Sequence, residues 1–188
     1  MLAPQALVVG RRSSIPGTKR SSSGLAMAWV MRTRSTTVGP MVVDTSTLIS
    51  LARAGLLGVL DRSPLAVVLL DVVWQEAVVA GDAGGHADAA AIASALAGRE
   101  RQPAPTAPTV DGAVLAAGRL DGFLATNDLA LGRRAHNVGV AWLRTADLVV
   151  LAARSGLSSP EEARNGIVAL LAAGRITPQL ANDYLEDL

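Results

Sequence analysis

The residues best suited to chemistry are acids placed at the ends of apolar runs. Asp44 closes the β-branched run VGPMVV (38–43) and is followed by Thr45 and Ser46. Glu76 lies in the helical stretch DVVWQEAVVA (71–80), just after the apolar run AVVLL (66–70). Asp111 opens DGAVLAAGRL (111–120), and Asp128 ends the triplet Thr126–Asn127–Asp128 after GFLAT (122–126). There is no cysteine, and the two histidines are His86 and His136. Thiolate zinc, iron–sulfur, cysteine-nucleophile and His-rich metal sites are therefore excluded. A set of hard oxygen ligands without His or Cys suits Mg²⁺ or Mn²⁺. Four carboxylates in one cleft repel each other and need a divalent cation or raised pKa values. Such a site can activate water and neutralise the charge that builds on a phosphodiester during in-line attack.

Each acid also has a plainer reading. Helix N-termini favour negative charge, so Asp111 reads equally well as a helix-start residue. Asp71, Asp88 and Asp121 read as caps or surface residues. Asp44 resists this reading, because an acid at the end of an apolar strand, followed by two hydroxyl residues, is a poor choice for a surface position.

Short apolar runs and helical stretches alternate from Met41 onward. TLISLARAGLLGVL (47–60) has near-helical spacing and is expected to split at Gly55 and Gly58. ADAAAIASALAG (87–98) predicts an Ala-rich helix, and RERQPAPTAPT (99–109) a Pro-rich loop with at most a short extended piece. Helices are predicted over 71–80, with Asp71 as cap, over 111–120 and over 127–137. VAWL (140–143) predicts a strand. Three helices close the chain at 145–156, 159–174 and 177–188, with Thr145, Ser159–Pro160 and Thr177–Pro178 as their start signals. The alternation predicts an α/β fold, a parallel sheet with helices on both faces. In such sheets ligands bind beyond the carboxyl ends of the strands, where Asp44, Glu76 and Asp128 fall.

The net charge of +1 over 188 residues hides a split. Residues 1–40 carry six basic residues and no acid, whereas 41–188 carry eleven basic and sixteen acidic, net −5. The basic segment is rich in Ser, Arg and Gly, and its longest apolar stretch, 25–31, is followed by Arg32 and Arg34, unlike a signal peptide. Three readings stand for it: a disordered basic arm, a targeting segment, or an extension upstream of the true start, with Met27, Met31 and Met41 as alternative starts. The expected organisation is an extension over 1–40 and a domain over 41–188. With an acidic domain, RNA affinity would come from local patches such as Arg133, Arg134 and Arg144. No apolar run approaches the roughly 20 residues of a membrane span, so a cytoplasmic protein without a membrane partner is expected.

VVDTSTLISLARAGLLGVL, VVWQEAV and DGAVLAAGRLDGFLATND together resemble the PIN-domain family over about residues 41–143. The C-terminal AGRITPQLANDYL looks like a PIN-like subgroup often paired with antitoxin-like partners. The resemblance implies a three-layer α/β/α sandwich with a central parallel sheet and extra C-terminal helices. It implies an Mg²⁺- or Mn²⁺-dependent endoribonuclease, often a bacterial toxin held inactive by a cognate antitoxin and often a homodimer. Carried over, Asp44, Glu76, Asp111 and Asp128 take the four acidic, metal-holding positions, with Asp121 as the alternative third acid. Thr126 takes the hydroxyl position of the last motif, with Asn127 beside it. A haloacid-dehalogenase-type phosphatase also begins with an acid after its first strand, but needs a second Asp two residues on, where this chain has Ser46. A non-catalytic PIN-like binding protein is the other alternative.

Overall fold

The computed structural model describes residues 39–188, apart from the side chain of Asp121. The reading of the basic segment up to residue 38 lies outside the described residues.

Five short strands, β1 (Met41–Val43), β2 (Val67–Leu70), β3 (Arg101–Gln102), β4 (Phe123–Ala125) and β5 (Ala141–Leu143), form one sheet in the order β3-β2-β1-β4-β5. All pairings are parallel, with Met41 opposite both Val67 and Phe123 and Phe123 opposite Ala141. β1 is central, and all three of its residues are fully buried. Strands covered on both faces read as continuous apolar runs, which is why β1, β2, β4 and β5 stand out in the sequence. β3 is a two-residue exposed edge within the Pro-rich stretch. The Arg101 guanidinium lies over the Trp74 ring at 4.7 Å, which helps seat it.

The connections build the two outer layers of an α/β/α sandwich. α1 (Thr45–Arg53) follows β1 directly. It ends before Gly55, whose positive φ of 70° turns the chain, and Gly58 falls inside a 3₁₀ turn, Leu57–Leu60. After β2, α2 (Asp71–Trp74) continues into a π-helical segment, Gln75–Ala80, and α3 (Gly81–Ala83). Leu70 holds the cap position of α2. The expected capping residue, Asp71, instead accepts hydrogen bonds from the N–H of Val72 and of Ala104, at 2.7 and 3.0 Å. Its carboxylate thus ties the Pro-rich loop to the start of the helix. α4 (Ala87–Leu96) precedes that loop, and α5 (Val110–Asp121) and α6 (Leu129–Asn137) flank β4. α1 packs with α4 and with α7 (Thr145–Arg154), whereas α5 packs on β1, β4 and α6.

Two further helices, α8 (Pro160–Ala172) and α9 (Pro178–Glu186), stack on α7 in turn. Their starts follow the sequence signals. Ser159 and Glu162 form a reciprocal capping box, and Thr177 Oγ1 accepts the Leu180 N–H at 3.2 Å. Thr145 is not a cap: it is the first residue of α7, and the cap position belongs to Arg144. No described helix is long and apolar enough to cross a membrane.

α6 sits so close to β5 that a Cβ on Gly132 would lie 2.7 Å from the Trp142 ring. Gly132→Ala is therefore expected to destabilise by about 1–3 kcal/mol through overpacking. That corresponds to a fall in melting temperature of several degrees, by about 2–4 °C per kcal/mol. An unchanged melt would contradict this packing.

Candidate functional site

Chain order reverses at β1. The chain runs outward from β1 through β2 to β3, then returns to β4 on the other side of β1 and continues to β5. The carboxyl ends of β1 and β4 thus border the crevice where ligands bind in open parallel sheets. Asp44 ends β1 in that crevice, and Thr126 ends β4 beside it.

Asp44 is 4% exposed and caps α1. Its Oδ2 accepts from Ser46 Oγ at 2.7 Å, Thr126 Oγ1 at 2.9 Å and Ser46 N–H at 3.3 Å. A buried carboxylate needs such donors, because burial without them is very costly. The two hydroxyl residues that marked Asp44 in the sequence divide the work. Ser46 binds Asp44 itself, and Thr45 Oγ1 donates to Glu76 Oε2. Glu76 is thereby linked, through the residue next to Asp44, to the end of β1. It sits exposed in the π-helical segment, on a pocket of about 280 Å³ that also meets Thr45, Arg53, His86 and Asp88.

On the β4 side, the Asp128 backbone N–H donates to Thr126 Oγ1 at 3.0 Å. Asp128 Oδ1 caps α6, accepting from Ala130 and Leu131 N–H at 2.6 and 3.0 Å. Asp111 lies in the first turn of α5, and Arg134 of α6 donates to its Oδ2 at 3.1 Å. Both partners are half exposed, and such a pair contributes little to stability. It does occupy Arg134, which the sequence offered to RNA. Asp121, the alternative third acid, has its side chain outside the described residues. Hydrogen bonds thus link Asp44 to Thr126, whose hydroxyl also accepts the Asp128 N–H, and link Thr45, next to Asp44, to Glu76, while Asp111 pairs with Arg134. Among the described residues, no three Asp, Glu or His side chains gather closely enough to hold an ion by themselves.

Asn127 is fully engaged as a brace. Its Nδ2 donates to Ser50 Oγ (3.0 Å) and to the Arg175 carbonyl (3.4 Å), and its Oδ1 accepts the Thr145 N–H (3.2 Å). Ser50 Oγ donates to the Ser46 carbonyl at 2.6 Å and accepts from Arg175 Nε at 3.0 Å. Ser46 Oγ in turn accepts the Asn127 N–H. One network therefore locks together α1, the end of β4, the start of α7 and the α8–α9 turn. Sequence reasoning missed Ser50 and Arg175. The available signal was Ser50 itself, a polar residue on the apolar face of α1, one turn beyond Ser46.

The C-terminal helices are anchored nearby. Asp147 of α7 is buried, accepts the Arg144 N–H at 2.7 Å and accepts from Tyr184 Oη of α9 at 2.7 Å. Burial holds its carboxyl above the ordinary carboxylate value, and these hydrogen bonds oppose the rise.

Searches against known protein families, curated proteins and solved structures give no match.

Two outcomes are expected. Ser50→Ala removes the acceptor shared by Asn127 and Arg175 and should cost about 1–3 kcal/mol in urea unfolding. A loss near zero would show that the network is not holding the site. Asp147 binds its proton more tightly folded than unfolded, so its contribution should fall as pH rises from the ordinary carboxylate value through the raised one, then level off. Asp147→Asn should flatten the stability–pH curve in that window. An equally steep curve in the variant would contradict the assignment.

Proposed function

We propose that the Asp44 crevice is the active site of a metal-dependent ribonuclease of PIN-like type, hydrolysing RNA phosphodiester bonds with a metal-activated water. The observation that carries this reading is the buried Asp44 at the strand-order reversal, with Thr45 and Thr126 linking it to Glu76 and Asp128. The donor set is all oxygen, which suits Mg²⁺ or Mn²⁺. Mg²⁺ is commonly held by one or two carboxylates, its remaining positions filled by water and substrate phosphate, so a crevice without three gathered acids still fits it. Asp44 and Glu76 would hold the ion, with Asp128 and Asp111 as the further carboxylates, the latter paired here with Arg134. When bound, the ion supplies Lewis acidity and a water of lowered pKa.

The chain's own residues prepare that role. Ser46 and Thr126 hold Asp44 Oδ2 and orient the carboxylate. No hydrogen bond among the described residues falls on Oδ1, whose lone pairs stay available to a cation. Thr45 restrains the otherwise exposed Glu76. π-Helical turns inside helices are frequent at functional sites, and Glu76 sits on one. The same proposal includes a cognate antitoxin and a homodimer as partners. The phosphatase alternative is disfavoured by position 46, where a serine hydroxyl binds Asp44 in place of a second carboxylate.

The test is cleavage of a broad RNA panel with Mg²⁺ or Mn²⁺. Asp44→Asn should abolish cleavage. Thr126→Val, which removes the bond that orients Asp44 and the acceptor of the Asp128 N–H, should lower metal affinity or activity by about 10–100-fold. No cleavage across the panel, together with no metal binding in titration, would favour the non-catalytic alternative.

A further inference from the structure

Beside the crevice, a pocket of about 400 Å³ opens between α6, the start of α7 and α9. Its size is that of a small-ligand site. Asn127 links it to the crevice, since the residue that braces Ser46 and Ser50 also lines this pocket. Its lining combines Arg144 and Arg175 with the apolar Leu129, Ile176 and Leu180.

Both arginines are held in place without a direct ion pair among the described residues. Arg175 Nε donates to Ser50, which fixes the guanidinium plane. Arg144 lies over the Trp142 ring at 5.4 Å. Its Nε is buried with no hydrogen-bond partner among the described residues. Charged groups near them are Asp147, which interacts electrostatically with Arg144, and Asp183, which lines the pocket and accepts from Gln179. Guanidinium forks match phosphate oxygens bidentately, and ligand pockets pair apolar walls with a few placed polar or charged groups.

We propose that this pocket binds one nucleotide unit of single-stranded RNA, its phosphate on Arg144 and Arg175 and its base against Leu129, Ile176 and Leu180. The proposal rests on the RNA-cleaving reading of the adjacent crevice and adds a subsite to it. Phosphate contacts of this kind position a strand without reading its sequence, so the subsite would set the register of the strand over Asp44.

The test is binding of a fluorescein-labelled oligouridylate to the full chain in EDTA, with cleavage switched off and fold checked by circular dichroism. Arg144→Gln should weaken binding by about tenfold, the loss expected for one hydrogen bond to a charged group. Leu129→Glu, at a half-exposed rim position, should also weaken it, whereas Asp183→Asn should tighten it, a gain that misfolding cannot mimic. Arg62→Gln, on a surface pair elsewhere, should change nothing. Unchanged binding in Arg144→Gln and Asp183→Asn overturns the proposal even if the chain cleaves RNA. The expected changes in a chain that cleaves nothing would leave the subsite standing and overturn the nuclease reading. Uridine monophosphate binding as tightly as the oligonucleotide would overturn the assignment to an RNA strand.

Discussion

A carboxylate buried at the end of the central strand must be given hydrogen-bond donors, and much of the structure around Asp44 follows from that demand. Ser46 supplies donors from its side chain and backbone because α1 begins at Thr45, directly after Asp44. Thr126 supplies another because β4 runs beside β1, with Ala125 opposite Val43. The strand order thus sets which hydroxyl reaches the acid. A shift of register between β1 and β4 would withdraw Thr126 and leave Asp44 short of a partner.

The C-terminal helices belong to the same economy of contacts. Arg175, in the turn before α9, reaches Ser50 with its side chain and Asn127 with its carbonyl. Tyr184 of α9 binds Asp147 within the first turn of α7. Buried polar groups of this kind are costly when half satisfied and specific when fully satisfied. They commit α9 to one position, and that position closes a wall of the arginine pocket. Helices that would otherwise be appendages to the sandwich therefore help define both the crevice and the space beside it.

Much of the fold was legible in the sequence, because its signals are local. Continuous apolar runs marked β1, β2, β4 and β5, and Ser159–Pro160 and Thr177–Pro178 marked the starts of α8 and α9. Positions decided by tertiary contacts were less legible. Asp71 has the chemistry of a cap, but Ala104 lies close enough to take its carboxylate. Thr145 reads as a cap, but burial placed it inside the helix. β3 is too short and too polar to give a strand pattern. Within the candidate site, Asp44, Glu76, Asp128 and Thr126 were visible as residues following strands. The pairing of Asp111 with Arg134 was not visible, nor was the meeting of Ser50, Asn127 and Arg175. Those contacts join residues far apart in the chain, and no periodicity records them.

On the proposed function, Asp44 and Glu76 face a divalent cation. Anomalous diffraction from crystals of the full chain soaked in Mn²⁺ tests it most directly. That function predicts a manganese peak at roughly 2.0–2.2 Å from Asp44 Oδ1, close to the ideal ligand distance for a small hard cation, with Glu76 or its water as a further ligand. A crystal that binds Mn²⁺ elsewhere while the Asp44 crevice stays free of it would contradict a metal role for Asp44.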